Sequence, residues 1–181
     1  MRIRQALPSD APGIHRVSGR SARAAYEEVV GDETIIEAVE HPEFEDDVRA
    51  WLDEVADDER VIYLVAAGAD QDGKGASSDI VGFTQLCQGD GSPEPVAAGE
   101  AFLVSLYVDP ERWNEGVGSP LLDAVVDRLP DEVAVVSLDV LATNDLARGF
   151  YEDRGFRPVA DGTYEVDDVA YPSERYARTL D

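Results

Sequence analysis

Between the apolar run ending at Val108 and the apolar stripe beginning at Leu121, the chain reads Asp109-Pro110-Glu111-Arg112-Trp113-Asn114-Glu115-Gly116-Val117-Gly118-Ser119. A strand, a turn and then glycine opening a helix can bind an anion. Glycine lets the main chain approach a ligand and adopt positive φ, and the first free helix amides, aligned with the macrodipole, donate to phosphate oxygens. A ligand-free tight turn accounts equally well for a lone glycine pair, so the flanking sequence has to decide. A triphosphate P-loop needs Gly-Lys-Ser or Gly-Lys-Thr after the turn, and neither triplet occurs. A dinucleotide fingerprint needs a third small residue where Leu121 stands; Asp139 alone supports it, and reads better as part of a strand edge or turn.

The elements that must hold this segment follow from periodicity. Ala101 to Val108 is apolar on both faces, as a central strand is. After Gly118, the residues Leu121, Leu122, Val125, Val126 and Leu129 make one helical stripe, with Pro120 in the first turn and Pro130 closing the end. Val133 to Val140 then reads as a second buried strand, giving a strand-helix-strand unit with parallel strands. Asn144 caps a further helix carrying Leu146, Ala147, Phe150 and Tyr151 on one side, and Gly155 fits its C′ position. Upstream, Arg2 to Ala6 is a short strand, a helix runs to about Ala25, and Glu43 to Val55 is amphipathic through Phe44, Val48, Trp51, Leu52 and Val55. Val61 to Ala66 and Ile80 to Leu86 read as antiparallel strands joined by a Gly/Asp/Ser connection, and the segment from Tyr164 to Leu180 as a final hairpin.

Composition narrows the class of ligand and partner. At 181 residues the chain suits one domain over 1–181, and 44% hydrophobic residues argue for a folded one. The formal net charge is −24, and Lys74 is the single lysine. Such a surface repels nucleic acid and anionic lipid, so neither is expected as a partner. Its acidity and lysine poverty are similar to proteins of salt-loving archaea. One cysteine, Cys87, leaves no intrachain disulfide and no cysteine-based zinc site, and no metal is expected. With no apolar run of membrane-spanning length and no signal-peptide core, the chain reads as cytoplasmic.

Two motifs together resemble the GNAT superfamily of N-acetyltransferases. Val108 to Leu122 is similar to its strand, proline turn and Arg/Gln-x-x-Gly-x-Gly/Ala helix start, with Trp113 standing where arginine or glutamine is usual and Arg112 one position earlier. Asn144-Asp145-Leu146-Ala147-Arg148-Gly149-Phe150-Tyr151-Glu152-Asp153-Arg154-Gly155-Phe156 is similar to Asn-x-x-Ala-x-x-Phe-Tyr-x-x-x-Gly-Phe. The resemblance implies an α/β fold with a mixed, mostly antiparallel twisted sheet of six to seven strands and about four helices, splayed between 101–108 and 133–140. It implies acetyl-CoA as co-substrate and transfer of its acetyl group to a small-molecule or peptide amine, in a protein for which a homodimer is a common state. The backbone of Leu106, Tyr107 and Val108 would pair with pantetheine. Arg112, Trp113, Asn114 and the loop Glu115-Gly116-Val117-Gly118-Ser119 would surround the pyrophosphate, and Asn144, Ala147 and Tyr151 would wall the thiol end.

Acetyl transfer from a thioester needs a neutral amine, a polarised carbonyl and a proton for the departing thiolate. By the resemblance Tyr151 is the general acid, since a phenol near pKa ~10 can protonate a thiolate; half-buried packing is its bland alternative. A strand amide near Val108 is the candidate oxyanion donor. Glu100, just before the central strand, is the first candidate for general base, followed by Glu28 and Glu33, which lie between the first two helices. His15 and His41 read as surface histidines or proton shuttles, and Cys87 as a small core residue rather than a nucleophile. A non-catalytic acyl-CoA-binding module and, with less support, a dinucleotide-binding enzyme remain as alternatives.

Overall fold

The computed structural model describes residues 1–26, 34–68, 80–94, 96–166 and 168–180. Its strands are β1 (Arg2–Gln5), β2 (Val61–Ala67), β3 (Ile80–Gln88), β4 (Glu100–Val108), β5 (Val135–Leu141), β6 (Arg157–Val166) and β7 (Val169–Thr179). The helices are α1 (Ala11–Tyr26), α2 (Thr34–Glu40), α3 (Pro42–Glu54), α4 (Gly118–Val126) and α5 (Asp145–Glu152). The described strands form one seven-stranded sheet in the order β1-β2-β3-β4-β5-β7-β6, antiparallel except for β4 against β5.

β2 shows why both faces of the sheet are covered. Successive side chains point to opposite faces, and both sets are buried. Tyr63 and Val65 pack with Ile14, Val17 and Leu52 of α1 and α3, whereas Ile62, Leu64 and Ala66 pack with Leu121, Leu122 and Val125 of α4. Fully buried side chains of this size each contribute about 1.5–3 kcal/mol, so the two layers hold the sheet from either side.

The sheet opens in the middle. β4 pairs with β3 along its whole length, but with β5 only over Glu100–Phe102 against Val135–Ser137. On the β3 side the register steps from Gln85↔Ser105 to Leu86↔Leu103, leaving Val104 as an extra residue. A bulge of this kind bends its strand and increases the local twist. Beyond it β4 leaves β5, and a cleft forms between their C-terminal ends, as the splay between 101–108 and 133–140 requires.

Several details depart from the sequence reading. α2, seven residues long, is not anticipated, because so short a segment shows little period; five α-helices stand among the described residues where about four are expected. α4 ends at Val126 instead of continuing through Leu129. Leu129 precedes Pro130, which disfavours α geometry, and the amides of Arg128 and Leu129 bond three residues back to Val125 and Val126. The last hairpin forms, but β7 inserts between β5 and β6, so the chain's final strand closes the sheet against β5. The connection 69–79, Lys74 within it, and Glu28 and Glu33 lie outside the described residues.

Candidate active site

The register of β4 decides which main-chain groups face the cleft. The Asp109 amide donates to the Val81 carbonyl at 2.9 Å, so 81/109 is a hydrogen-bonded pair. Such pairs alternate with non-bonded ones in antiparallel strands, which makes 82/108 and 84/106 the non-bonded pairs. The amides of Leu106 and Val108 therefore point away from β3, toward the side where β5 has diverged. The Val108 carbonyl accepts from Ser21 Oγ at 2.7 Å and from Trp113 Nε1 at 2.8 Å. Its amide, and both main-chain groups of Leu106, are left facing the cleft as the open edge of a strand.

The turn after β4 is fixed by local polar chemistry. Asp109, only 7% exposed, accepts from the Glu111 amide at 3.1 Å and pairs with Arg20 of α1 at 3.3 Å. Asn114 and Gly116 then take left-handed φ values of 63° and 77°. A Cβ on Gly116 would meet nothing within 4 Å, so glycine is required there by φ rather than by space. Gly118 is favoured by packing: a Cβ would come within 3.0 Å of Phe150 Cε2, and the ring would have to shift. These turns bring the residues at the start of α4, Gly116–Ser119, with their free helix-start amides, into the wall of the cleft.

α5 supplies the facing wall. Asn144 Oδ1 accepts from the Ala147 amide at 3.0 Å and caps the helix, while its Nδ2 lies 3.4 Å from the Tyr26 hydroxyl at the end of α1. Gly155, at φ 84°, ends this segment as expected. Tyr151, 8% exposed, is held edge-on between Phe150 and Phe156, with ring centroids 5.2 and 5.5 Å away. Its hydroxyl makes no hydrogen bond to a described residue. Burial first, and the nearby Tyr26 second, push its pKa well above the ordinary phenol value, against the opposing pull of Arg154. Tyr107 is raised in the same way by burial and by neighbouring phenols.

A single cavity of about 570 Å³ runs through these groups. Of the residues named from sequence, Leu106, Tyr107, Val108, Arg112, Trp113, Asn114, Gly116, Val117, Gly118, Ser119, Asn144, Ala147 and Tyr151 line it. Glu115 does not; it pairs with Arg112 at 2.8 Å. Glu100 does not either. It sits at the paired end of β4, where its carboxylate accepts from the Ala97 amide at 3.1 Å, roughly 25 Å along the strand from Val108. His15 packs against Phe44, His41 caps α3, and Cys87 is buried beside Val55 and Val61, and none of the three lines the cavity. Among the described residues the one carboxylate lining the cavity is Asp139, held in a two-pronged pair with Arg175 at 2.8 and 2.7 Å.

Several lining residues were not named from sequence. Ser21, Tyr26, Ile35, Val39, Phe44, Tyr164 and Val166 come from α1, α2, α3 and β6 and meet only through the tertiary fold. Ser105 lines the cavity with a buried Oγ that has no hydrogen-bond partner among the described residues. Arg154 stands four residues past Phe150 on the same helix end, a spacing the sequence does show, with its guanidinium 3.6 Å above that ring. No group of described residues has the His, Cys, Asp and Glu arrangement of a metal site. No described helix is long and apolar enough to cross a membrane.

An opened sheet with unpaired strand amides, leading to a glycine-started helix N-terminus and ending at a buried phenol, has the shape and polarity that suit an extended, phosphate-bearing ligand. Comparison with known proteins makes the class specific. The chain belongs to the Acetyltransferase (GNAT) family, whose model matches residues 22–156. It is similar to the [ribosomal protein bS18]-alanine N-acetyltransferase of Escherichia coli K12, 33% identical over 87 residues covering 42% of this chain and 59% of that protein. It is also similar to N-alpha-acetyltransferase 60 of Danio rerio, 34% identical over 88 residues, 44% of this chain and 36% of that protein. The matched region thus spans 59% and 36% of the length of these curated relatives, less than two thirds of either. In structure it is similar to the PaiA N-acetyltransferase of Thermoplasma acidophilum in complex with coenzyme A, with TM-score 0.72 and 19% identity over 99% of this chain and 98% of that one. The ribosomal-protein-S18-alanine N-acetyltransferase of Escherichia coli gives TM-score 0.64 and 21% identity over 98% and 92%. These likenesses support the mixed α/β architecture.

Proposed function

We propose that the protein transfers an acetyl group from acetyl-CoA to a primary amine by direct attack in a ternary complex. The observation that carries this reading is the continuity of one cavity from the amides at the start of α4, past the open edge at Leu106 and Val108, to the Tyr151 hydroxyl. Acetyl-CoA, when bound, supplies a thioester whose carbonyl is open to attack. The strand edge can pair with the amides of its pantetheine arm as another strand would, and the free amides at Gly116–Ser119 can donate to its pyrophosphate. The Val108 amide is the candidate donor to the oxyanion. Tyr151, kept protonated by burial, is the candidate donor to the departing thiolate.

Glu100 is too distant to serve as base. We assign loss of the amine proton to an ordered water instead: the one carboxylate among the described residues that lines the cavity, Asp139, is held by Arg175. Asp139→Asn is therefore expected to leave the pH dependence of turnover unchanged. A loss at neutral pH that recovers as pH approaches the amine's own pKa would make Asp139 the base and remove water from the mechanism. The −24 charge is read as suiting the protein to salt-rich surroundings, where screening limits self-repulsion, and the sheet shared by all described strands supports one domain over 1–181.

Calorimetric titration in high potassium chloride with acetyl-CoA, and with NAD as control, tests the ligand class. Binding of acetyl-CoA alone, followed by thiol release with one member of an amine panel, is the expected result. A folded sample that binds neither would withdraw the assignment.

A further inference from the structure

In a chain with 39 acidic residues against 15 basic ones, most arginines near the surface are neutralised by carboxylates. Two line the cavity, Arg112 and Arg154. Arg112 is committed to Glu115. Arg154 has no carboxylate partner among the described residues, and it is anchored by neutral contacts alone. Its Nη1 donates to the Phe150 carbonyl at 2.7 Å, its plane lies over the Phe150 ring, and its Nε and Nη2 both donate to Ser119 Oγ, the former at 3.2 Å. Ser119 is the second residue of α4, so this guanidinium sits beside the free amides of the helix start.

The arrangement has two consequences. A full positive charge is held, uncompensated, at the end of the cavity where the backbone already favours anions. A hydroxyl has two acceptor lone pairs and one donor; with both lone pairs engaged by Arg154, the Ser119 proton has to point away from the guanidinium. We propose that Arg154 is the charge-bearing residue of the cofactor's pyrophosphate site, acting directly on the phosphates and, through Ser119, by fixing the direction of a second donor. In this protein one arginine then does what a lysine-rich loop does elsewhere, without adding a surface cation that the acidic shell would neutralise. The inference rests on the acetyl-CoA reading above.

The test is calorimetry with CoA and with 3′-dephospho-CoA on the wild type, Arg154→Met, Arg154→Lys and Ser119→Ala. Methionine keeps the apolar stem over Phe150, and equal melting temperatures establish that the fold is kept. A hydrogen bond to a charged group contributes about 1.5–3 kcal/mol, or roughly 10–100-fold in affinity. Arg154→Met is therefore expected to weaken both ligands by about that factor. Arg154→Lys, which keeps charge but not the fork, falls between, and Ser119→Ala weakens binding severalfold. The double variant Arg154→Met with Ser119→Ala is expected to bind little worse than Arg154→Met alone, because the two act as a unit. Wild-type binding with Arg154→Met unchanged overturns the inference and leaves the acetyl-CoA reading standing. A loss confined to CoA and absent with 3′-dephospho-CoA overturns the pyrophosphate assignment, and wild-type protein that binds neither ligand removes both readings.

Discussion

The two halves of the cavity are built by different means. The half along β4 and the start of α4 is made mostly of backbone: the Leu106 and Val108 amides, the left-handed Asn114 and Gly116, and the free amides of the helix. The half between α1, α2 and β6 is made of side chains, with Tyr26, Ile35, Val39, Tyr164 and Val166 on its walls. On the acetyl-CoA reading, a backbone site would recognise what does not change from one reaction to the next, since amides can read an amide arm and a pyrophosphate whatever the acceptor. A side-chain site can be remodelled residue by residue, and on the same reading it would set the choice of amine. Damage to the first half should act alike on every acceptor, and damage to the second should reorder acceptors while leaving the affinity for acetyl-CoA alone.

The largest effect is expected where the halves meet. Tyr151→Phe removes the hydroxyl but keeps the ring between Phe150 and Phe156, so turnover should fall by about 10²–10⁴-fold with the affinity for CoA within a factor of about three. Equal losses in rate and affinity would show that the tyrosine belongs to the binding half. The same phenol fixes the alkaline behaviour. Its pKa is raised in the folded protein, so the acid form persists past pH 10 and the wild-type rate should not fall there. Stability should behave oppositely: a phenol favoured as neutral in the fold contributes stability below its unfolded pKa that is lost as pH rises through the folded value. Alkaline melts of Tyr151→Phe should accordingly be less steep than those of the wild type.

Gly116→Val tests the backbone half by itself. Its φ of 77° is strained for a β-branched residue, at a cost of about 1–3 kcal/mol. The cradle should distort, weakening CoA by roughly 5–100-fold with no change in the ranking of acceptors. A variant that binds CoA normally yet reorders acceptors would break the division.

That division also separates what the sequence discloses from what it does not. The half along β4 and α4 was legible because its parts are contiguous: a two-faced apolar strand, a proline turn, and glycines before a helical stripe. Each needs a particular residue type for a local geometric reason. The acceptor half was not legible. α2 is too short for a period to show, Tyr26 and Tyr164 meet across more than a hundred residues, and Glu100 was favoured for its place next to β4 when it lies at the wrong end of that strand. Arg154 falls between the cases. Its position four residues from Phe150 was visible, but its bond to Ser119 required the fold.

Tyr164→Ala probes the acceptor half. The ring is half exposed and lines the cavity, and burial raises its pKa. Its removal should change the acceptor KM by about three- to tenfold, on the order of 1 kcal/mol for a partly buried contact, without altering the titration of CoA. If instead every acceptor suffers equally, the wall does not select.

The smallest effect is expected at the one departure from the family pattern. Trp113 stands where arginine or glutamine is usual, and its indole Nε1 donates to the Val108 carbonyl at 2.8 Å. That carbonyl is on the cleft side of β4, where an unsatisfied acceptor would compete for the same pantetheine amides as its neighbours. Ser21 also donates to it, at 2.7 Å, so Trp113→Phe leaves one of two bonds in place. A single neutral hydrogen bond is worth about 0.5–1.5 kcal/mol, and with a partner retained the affinity for CoA should fall by no more than a few fold. Trp113→Phe combined with Ser21→Ala should lose more than the sum of the single changes, because only then is the carbonyl left without a protein donor. Additive losses would mean that Trp113 serves by packing the turn against the strand, and that the end of β4 is held by shape rather than by its carbonyl.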